Sequence, residues 1–120
     1  MLKEILNTPP RTVPTMRIYP NFLSFNAPAA ALLQLAEDGS VAIMQDDRDG
    51  LIYVANCSTM KQSYPLQKRG NTYRVSNAPL CRVLADKMDG FGTYLITQDL
   101  SMQFMEKEFY NIFKKKYEKD

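Results

Sequence analysis

The sequence contains no histidine and no tryptophan. Without histidine a chain lacks the commonest general base, the usual partner of a serine or cysteine nucleophile and the commonest zinc ligand. Cysteine is scarce: Cys57 and Cys81 are the only two. They are too few and too far apart for a zinc site, and without secretory context they read as reduced thiols rather than a bridge. Only five glycines occur, and none belongs to a glycine-rich phosphate loop. No apolar run approaches the roughly 18 residues of a membrane span, and the N-terminus lacks the basic region, apolar stretch and cleavage site of a secretory leader. These absences argue against an enzyme and lead to the expectation of a cytoplasmic protein with no cofactor, metal or membrane partner.

What is present suits one domain. A chain of 120 residues, 45% hydrophobic, is long enough to bury roughly two thirds of its unfolded surface in a single core. The net charge of +2 is unevenly spread: residues 1–60 carry four basic and six acidic side chains, residues 61–120 eleven and seven. If either half faces an anionic partner it is the second, and solvated surface is the plainer reading of the same charges.

The sequence also resembles itself. Asn26-Ala27-Pro28, Leu33, Asp38-Gly39 and Gln45-Asp46 return as Asn77-Ala78-Pro79, Leu84, Asp89-Gly90 and Gln98-Asp99. The second copy carries two extra residues near Phe91 and Gly92. An internal repeat of this kind dictates architecture rather than chemistry.

Local signals fill in the elements. Residues 1–15 form an arm, with one helical turn from Leu2 to Leu6 before Pro9, Pro10 and Pro14 remove backbone donors. Thr15 to Tyr19 and Phe22 to Phe25 are short extended runs. Asn26 and Pro28 then open a helix over Ala29 to Ala36 that Gly39 closes in the left-handed conformation. Ser40 to Asp46 and Leu51 to Asn56 make a hairpin around Asp47-Arg48-Asp49-Gly50. Val41 and Ile43 share one face, with Ala42 and Met44 on the other, which suits a strand covered on both sides.

The second copy follows the same grammar. Tyr73 and Val75 point inward from a strand over Thr72 to Ser76, while Thr72 and Arg74 point out. Leu80, Val83, Leu84 and Met88 form a helical stripe flanked by Cys81, a small core residue. Asp89-Gly90 stops the helix before a closing strand, Thr93 to Thr97. Beyond it, Met102, Met105, Phe109, Ile112 and Phe113 share a helical face, with Glu106 and Glu108 near the start and Lys114 to Lys116 at the end. That polarity suits the helix dipole and gives an amphipathic helix over 101–117.

Two constellations could carry function. Lys61, Lys68 and Arg69, with Tyr64 between them and the outward Arg74 nearby, combine cations that hold phosphates with an aromatic face that stacks on bases; a solvated turn is the plainer reading of the same residues. Asp46 and Asp99 are the acidic members of the repeated Gln-Asp pair. Brought together by a pseudo-twofold axis they would form paired carboxylates capable of acid–base work, and otherwise they simply end strands. Asp46, Asp47 and Asp49 fit no calcium-loop spacing.

The unit Phe22 to Ala55, with its strand, Asn-Ala-Pro helix start, leucine-rich turn, Asp-Gly and hairpin, resembles the swapped-hairpin units of AbrB-type transcription regulators. In that family two units interlock into a small barrel that binds DNA or a partner protein. The family's basic residues before and within the first strand are matched here by Arg11 and Arg17 alone. The chain as a whole also resembles small bacterial proteins classed as conserved hypothetical proteins, a likeness that implies no function. The expected fold is α+β: two similar strand-helix-strand units, 22–56 and 72–99, forming a small mixed sheet or barrel behind the arm and capped by the C-terminal helix. The expected function is a non-enzymatic binding or regulatory module with nucleic acid as partner. The alternative is a protein-interaction module that dimerises through the C-terminal helix, and a small enzyme using Asp46 and Asp99 comes third.

Overall fold

The computed structural model of the protein describes residues 13–48, 50–57, 63–104 and 107–114. Among them the chain is predominantly β: strands β1 (Thr15–Ile18), β2 (Leu23–Phe25), β3 (Ser40–Gln45), β4 (Ile52–Asn56), β5 (Ser63–Pro65), β6 (Gln67–Arg69), β7 (Thr72–Val75), β8 (Gly92–Phe104) and β9 (Lys107–Lys114), with helices α1 (Ala27–Leu33) and α2 (Ala78–Lys87). The nine strands form one sheet in the order β5-β3-β4-β9-β8-β1-β2-β7-β6, and every pairing is antiparallel.

The two ends of that order are neighbours in sequence. β5 and β6 are separated only by Leu66, so one short segment pairs with β3 through its first half and with β7 through its second. The sheet therefore rolls almost closed into a barrel, which removes the exposed edges an open sheet would present. Leu66 makes the corner: its side chain is buried, and its N–H donates to the Gly39 carbonyl at 3.0 Å.

Strand alternation fills the interior. Met16, Ile18, Leu23, Phe25, Val41, Ile52, Val54, Val75, Tyr94, Ile96 and Ile112 meet in one core, joined by Ala29 and Leu33 from α1 and by Cys81 and Leu84 from α2. A second apolar cluster, Ala42, Tyr53, Ala55, Cys57 and Phe109, lies on the other side of β3, β4 and β9. Those strands are thus buried on both faces, as the covered pattern of Val41 to Met44 anticipates for β3.

Both helices start as their sequence dictates. Asn26 caps α1 by accepting from Ala29 N at 2.9 Å, and Asn77 caps α2 by accepting from Leu80 N at 3.0 Å, each followed by a proline in the first turn. Asn26 does more than cap. Its Oδ1 also accepts from Thr15 N at 3.0 Å and its Nδ2 donates to the Val13 carbonyl at 2.8 Å, pinning the start of β1 to the start of α1. At the far end of α2, the buried Tyr94 hydroxyl donates to the Gly90 carbonyl and accepts from Asp89 N, fastening the helix exit to β8.

The structure corrects the α+β expectation in several places. The residues assigned to a C-terminal helix over 101–117 form, where described, the end of β8 and all of β9, paired from Ser101↔Tyr110 to Phe104↔Lys107. The reason is burial on both sides: Phe109 lies in the outer cluster and Ile112 in the inner core. Apolar residues on both faces of a strand give no clean period of two, and their spacing then mimics a helical stripe. The sheet is antiparallel throughout rather than mixed. Residues 63–69, which carry no clear sequence signal, supply the strand that closes the barrel. The arm stops short of Thr15, which opens β1, and its turn from Leu2 to Leu6 lies outside the described residues.

Smaller corrections concern the helices. α1 ends at Leu33, and the left-handed residue that caps it is Gln34, at φ 57°, rather than Gly39; only in the second segment does a glycine, Gly90 at φ 86°, take that conformation. Val83 is 48% exposed, so the buried stripe of α2 is Cys81 and Leu84, with Leu80 and Met88 at its margins. Segments 22–46 and 72–99 both run strand, capped helix, strand, and their opening strands pair as Leu23↔Val75 and Phe25↔Tyr73. They then diverge: β3 has six residues and lies between β4 and β5, whereas β8 has thirteen and lies between β9 and β1.

Leu33→Ala and Leu84→Ala should each destabilise the protein by about 2 to 5 kcal/mol, because both side chains fill the closed core. Asn77→Ala should cost about 1 kcal/mol through removal of its cap, and Asn26→Ala more, since it also frees β1. Chemical denaturation of the four variants measures both expectations; equal losses for the two asparagines would mean that the β1 tether contributes nothing.

Candidate functional site

The same alternation that buries Met16, Ile18, Leu23 and Val75 turns the residues between them outward. Pairing register places these outward residues in a row across five strands: Thr93 on β8 opposite Arg17 on β1, Arg17 opposite Ser24 on β2, Ser24 opposite Arg74 on β7, and Arg74 opposite Gln67 on β6. Two arginines far apart in sequence thus stand two strand spacings, about 10 Å, from one another on one face.

The turn between β1 and β2 organises them. The Tyr19 N–H donates to the Phe22 carbonyl at 2.9 Å, closing a tight hairpin around Pro20 and Asn21 that stacks the two rings with centroids 4.4 Å apart. The Arg17 guanidinium lies 5.1 Å from the Tyr19 ring centre and that of Arg74 4.2 Å from the Phe22 ring centre. The result is a continuous chain, Arg17 to Tyr19 to Phe22 to Arg74, in which each cation rests on a ring face. Arg17 also donates through Nη1 to Thr93 Oγ1 at 3.4 Å. The Nε of Arg74 is buried and has no hydrogen-bond partner among the described residues. Packing on the ring, rather than hydrogen bonding at Nε, holds that guanidinium in place.

Arg69 extends the patch. It sits two residues from Gln67 on β6, on the same face, opposite Thr72. The turn behind it needs Gly70 at φ 62°, and the Thr72 hydroxyl donates to the Arg69 carbonyl at 2.9 Å. Electrostatically these strands offer one sign: residues 15–25 and 67–76 place Arg17, Arg69 and Arg74 on this face and contain not one carboxylate.

Of the cations singled out from the sequence, the structure brings Arg69 and Arg74 together and separates Lys68 from them. Lys68 pairs with Tyr73, which packs against the core side, so its exposed side chain leaves the ladder on the opposite face. Lys61 lies outside the described residues. Tyr64 pairs with Val41 on the far edge, packs against the core, and is no part of the patch. Sequence reasoning missed Arg17, Tyr19 and Phe22 as site residues. Their signal was local: a cation and two aromatics bracketing a Pro-Asn turn.

Of the two carboxylates of the repeated Gln-Asp pair, only Asp46 has a described side chain. Asp46 lies in the β3–β4 hairpin turn, where it accepts from Arg48 N at 2.8 Å and from the Arg48 guanidinium at 3.2 Å. That side-chain hydrogen bond, more than any other influence, holds its pKa below the ordinary 3.8. Asp99 falls between Thr97 and Ser101, where the β8–β9 register shifts, and its side chain lies outside those described. The thiols of Cys57 and Cys81 are both buried, and burial pushes that of Cys81 up, away from reactivity. Among the described residues no cluster of His, Cys, Asp or Glu could hold a metal ion, and no helix is long and apolar enough to cross a membrane.

Asp46→Asn should slightly lower stability at neutral pH and lose that effect in acid. A carboxylate whose folded pKa is depressed contributes stability above its unfolded value, and the contribution disappears as pH falls through the folded one. Denaturant midpoints for the two proteins should therefore converge as pH drops below about 4; a gap that persists in acid would assign the effect to turn geometry instead of charge.

Comparison with protein-family models, with curated proteins and with solved structures finds no match.

Proposed function

We propose that the protein is a non-enzymatic binding module whose ligand is a nucleic acid, held on the outer face of β1, β2, β7 and β6. The observation that carries this reading is the row Arg17–Ser24–Arg74–Gln67 with its aromatic underlay: two guanidinium groups positioned by rings on a carboxylate-free surface. Guanidinium forks match phosphate oxygens bidentately, and a cation already ordered by packing gives up less freedom on binding. The aromatic faces of Tyr19 and Phe22 are already engaged with each other and with the arginines. Binding is therefore through the phosphate backbone rather than by insertion between bases, and recognition is largely independent of sequence. The resemblance of segment 22–55 to AbrB-type units points toward the same ligand class.

Backbone recognition has a measurable signature, because each neutralised phosphate releases counterions and steepens the salt dependence. Fluorescence anisotropy with labelled single- and double-stranded oligonucleotides should show binding that weakens steeply from low to physiological salt. Arg17→Gln combined with Arg69→Gln and Arg74→Gln should weaken it uniformly across sequences and reduce the salt slope by about three, one unit for each phosphate no longer neutralised. Lys68→Gln, on the opposite face, should leave the slope unchanged. Circular dichroism establishes that the triple variant is folded. Absence of binding at low ionic strength by the wild-type protein overturns the reading in favour of a protein partner.

A further inference from the structure

A polar mouth opens where β4 and β9 run out of the barrel. Along these paired strands the inward-facing positions change character step by step: Ile52 opposite Ile112, then Val54 opposite Tyr110. Beyond the last of these pairs, Asn56 of β4 and Glu108 of β9 line the same pocket. Apolar pairs fill the barrel and polar ones rim its end. The C-terminal end of α1 covers this rim with Leu32, Leu33 and Gln34, leaving a cavity of about 200 Å³ among the six residues. Barrel mouths with an apolar floor and a few convergent polar groups are the usual places for small ligands.

The chemistry of the rim favours one sign of ligand. The Glu108 carboxylate accepts from the Ser101 hydroxyl at 2.8 Å and has no cationic partner among the described residues. The amide nitrogen of Asn56 donates to the Gln34 carbonyl at 2.6 Å, and its oxygen has no donor among the described residues. That bond also holds Gln34 in the left-handed conformation at φ 57°, a position that non-glycine residues rarely take. The Tyr110 hydroxyl has no hydrogen-bond partner among the described residues. Burial, and secondarily the Glu108 charge, raise its pKa, so it stays neutral at physiological pH. Acceptors and one aromatic ring therefore converge over a leucine floor, with no lysine or arginine among the described lining residues.

We propose that this mouth is a binding site for a small primary ammonium ion with a short apolar tail. The ammonium group donates to Glu108 and to the Asn56 amide oxygen and lies near the Tyr110 ring, whose face attracts cations. The tail packs on Leu32 and Leu33. The cleft, about 200 Å³, has room for an ammonium group with a few carbon atoms beyond its nitrogen. This site lies on β4, β9 and α1, apart from the arginine row, and does not depend on nucleic-acid binding.

Titration of the full chain with n-butylammonium chloride, followed by proton–nitrogen NMR correlation spectra, tests it. Sodium chloride at equal ionic strength and n-butanol serve as controls. Saturable shifts confined to Gln34, Asn56, Tyr110 and their neighbours are expected with the amine alone. Glu108→Gln should weaken binding at least about tenfold by removing the charge partner, and Tyr110→Phe, which keeps the ring, should weaken it less. Glu108 is exposed, so unchanged spectra away from the mouth will show that its variant is folded. Shifts reproduced by butanol or by salt, or an affinity unaltered by Glu108→Gln, overturn the proposal.

Discussion

Everything in this fold depends on the bend at Leu66. An open sheet of nine antiparallel strands has two edges, and each edge is a row of unsatisfied backbone donors and acceptors. The segment from Ser63 to Arg69 satisfies both by pairing with β3 on one side of the bend and with β7 on the other. Closure also creates the core. Inward residues of β1, β2, β4, β7, β8 and β9 can meet only when the sheet is rolled, and Leu33 and Leu84 have a cavity to fill only then. Isolated strand pairs are marginal in water, and most strands here have only three to six residues, so pairing and burial must arise together.

The polar devices of the fold work on this frame rather than creating it. Asn26 joins the start of β1 to α1 with three side-chain hydrogen bonds, and Tyr94 joins the exit of α2 to β8 with two. Each fastens an irregular connection to a strand already held in the sheet, where an unpaired backbone group would otherwise be costly.

The same frame converts an ordinary charge distribution into a surface. Arg17 and Arg74 are 57 positions apart in a chain whose net charge is only +2, and neither lies in a basic run. Register puts one strand, β2, between them, and the β1–β2 turn slides two rings beneath their guanidinium groups. Of the expected cations, Arg74 faces as its alternation with Tyr73 and Val75 implies. Lys68 and Arg69, adjacent in sequence, part company because neighbours on a strand project to opposite faces. A run of basic residues is thus a poor guide to a basic face when the run is extended.

By itself the sequence determined the local features, because these are governed by interactions within a few residues. The Asn-Ala-Pro starts of both helices, the hairpin around Asp47 to Gly50, the inward Tyr73 and Val75, and the burial of Leu33, Leu84 and Cys81 all follow from side-chain capping, fixed proline geometry and apolar periodicity. The tertiary structure decided what depends on partners distant in the chain. Phe109 and Ile112 belong to a strand because two separate apolar clusters receive its two faces, and that double burial erased the period that would have announced it. Residues 63–69 carry no recognisable pattern because a strand at the seam of a barrel is specified by the edges it joins. The arginine row and the polar mouth exist only through register and closure, and of either only the turn carrying Tyr19 and Phe22 has a local signal.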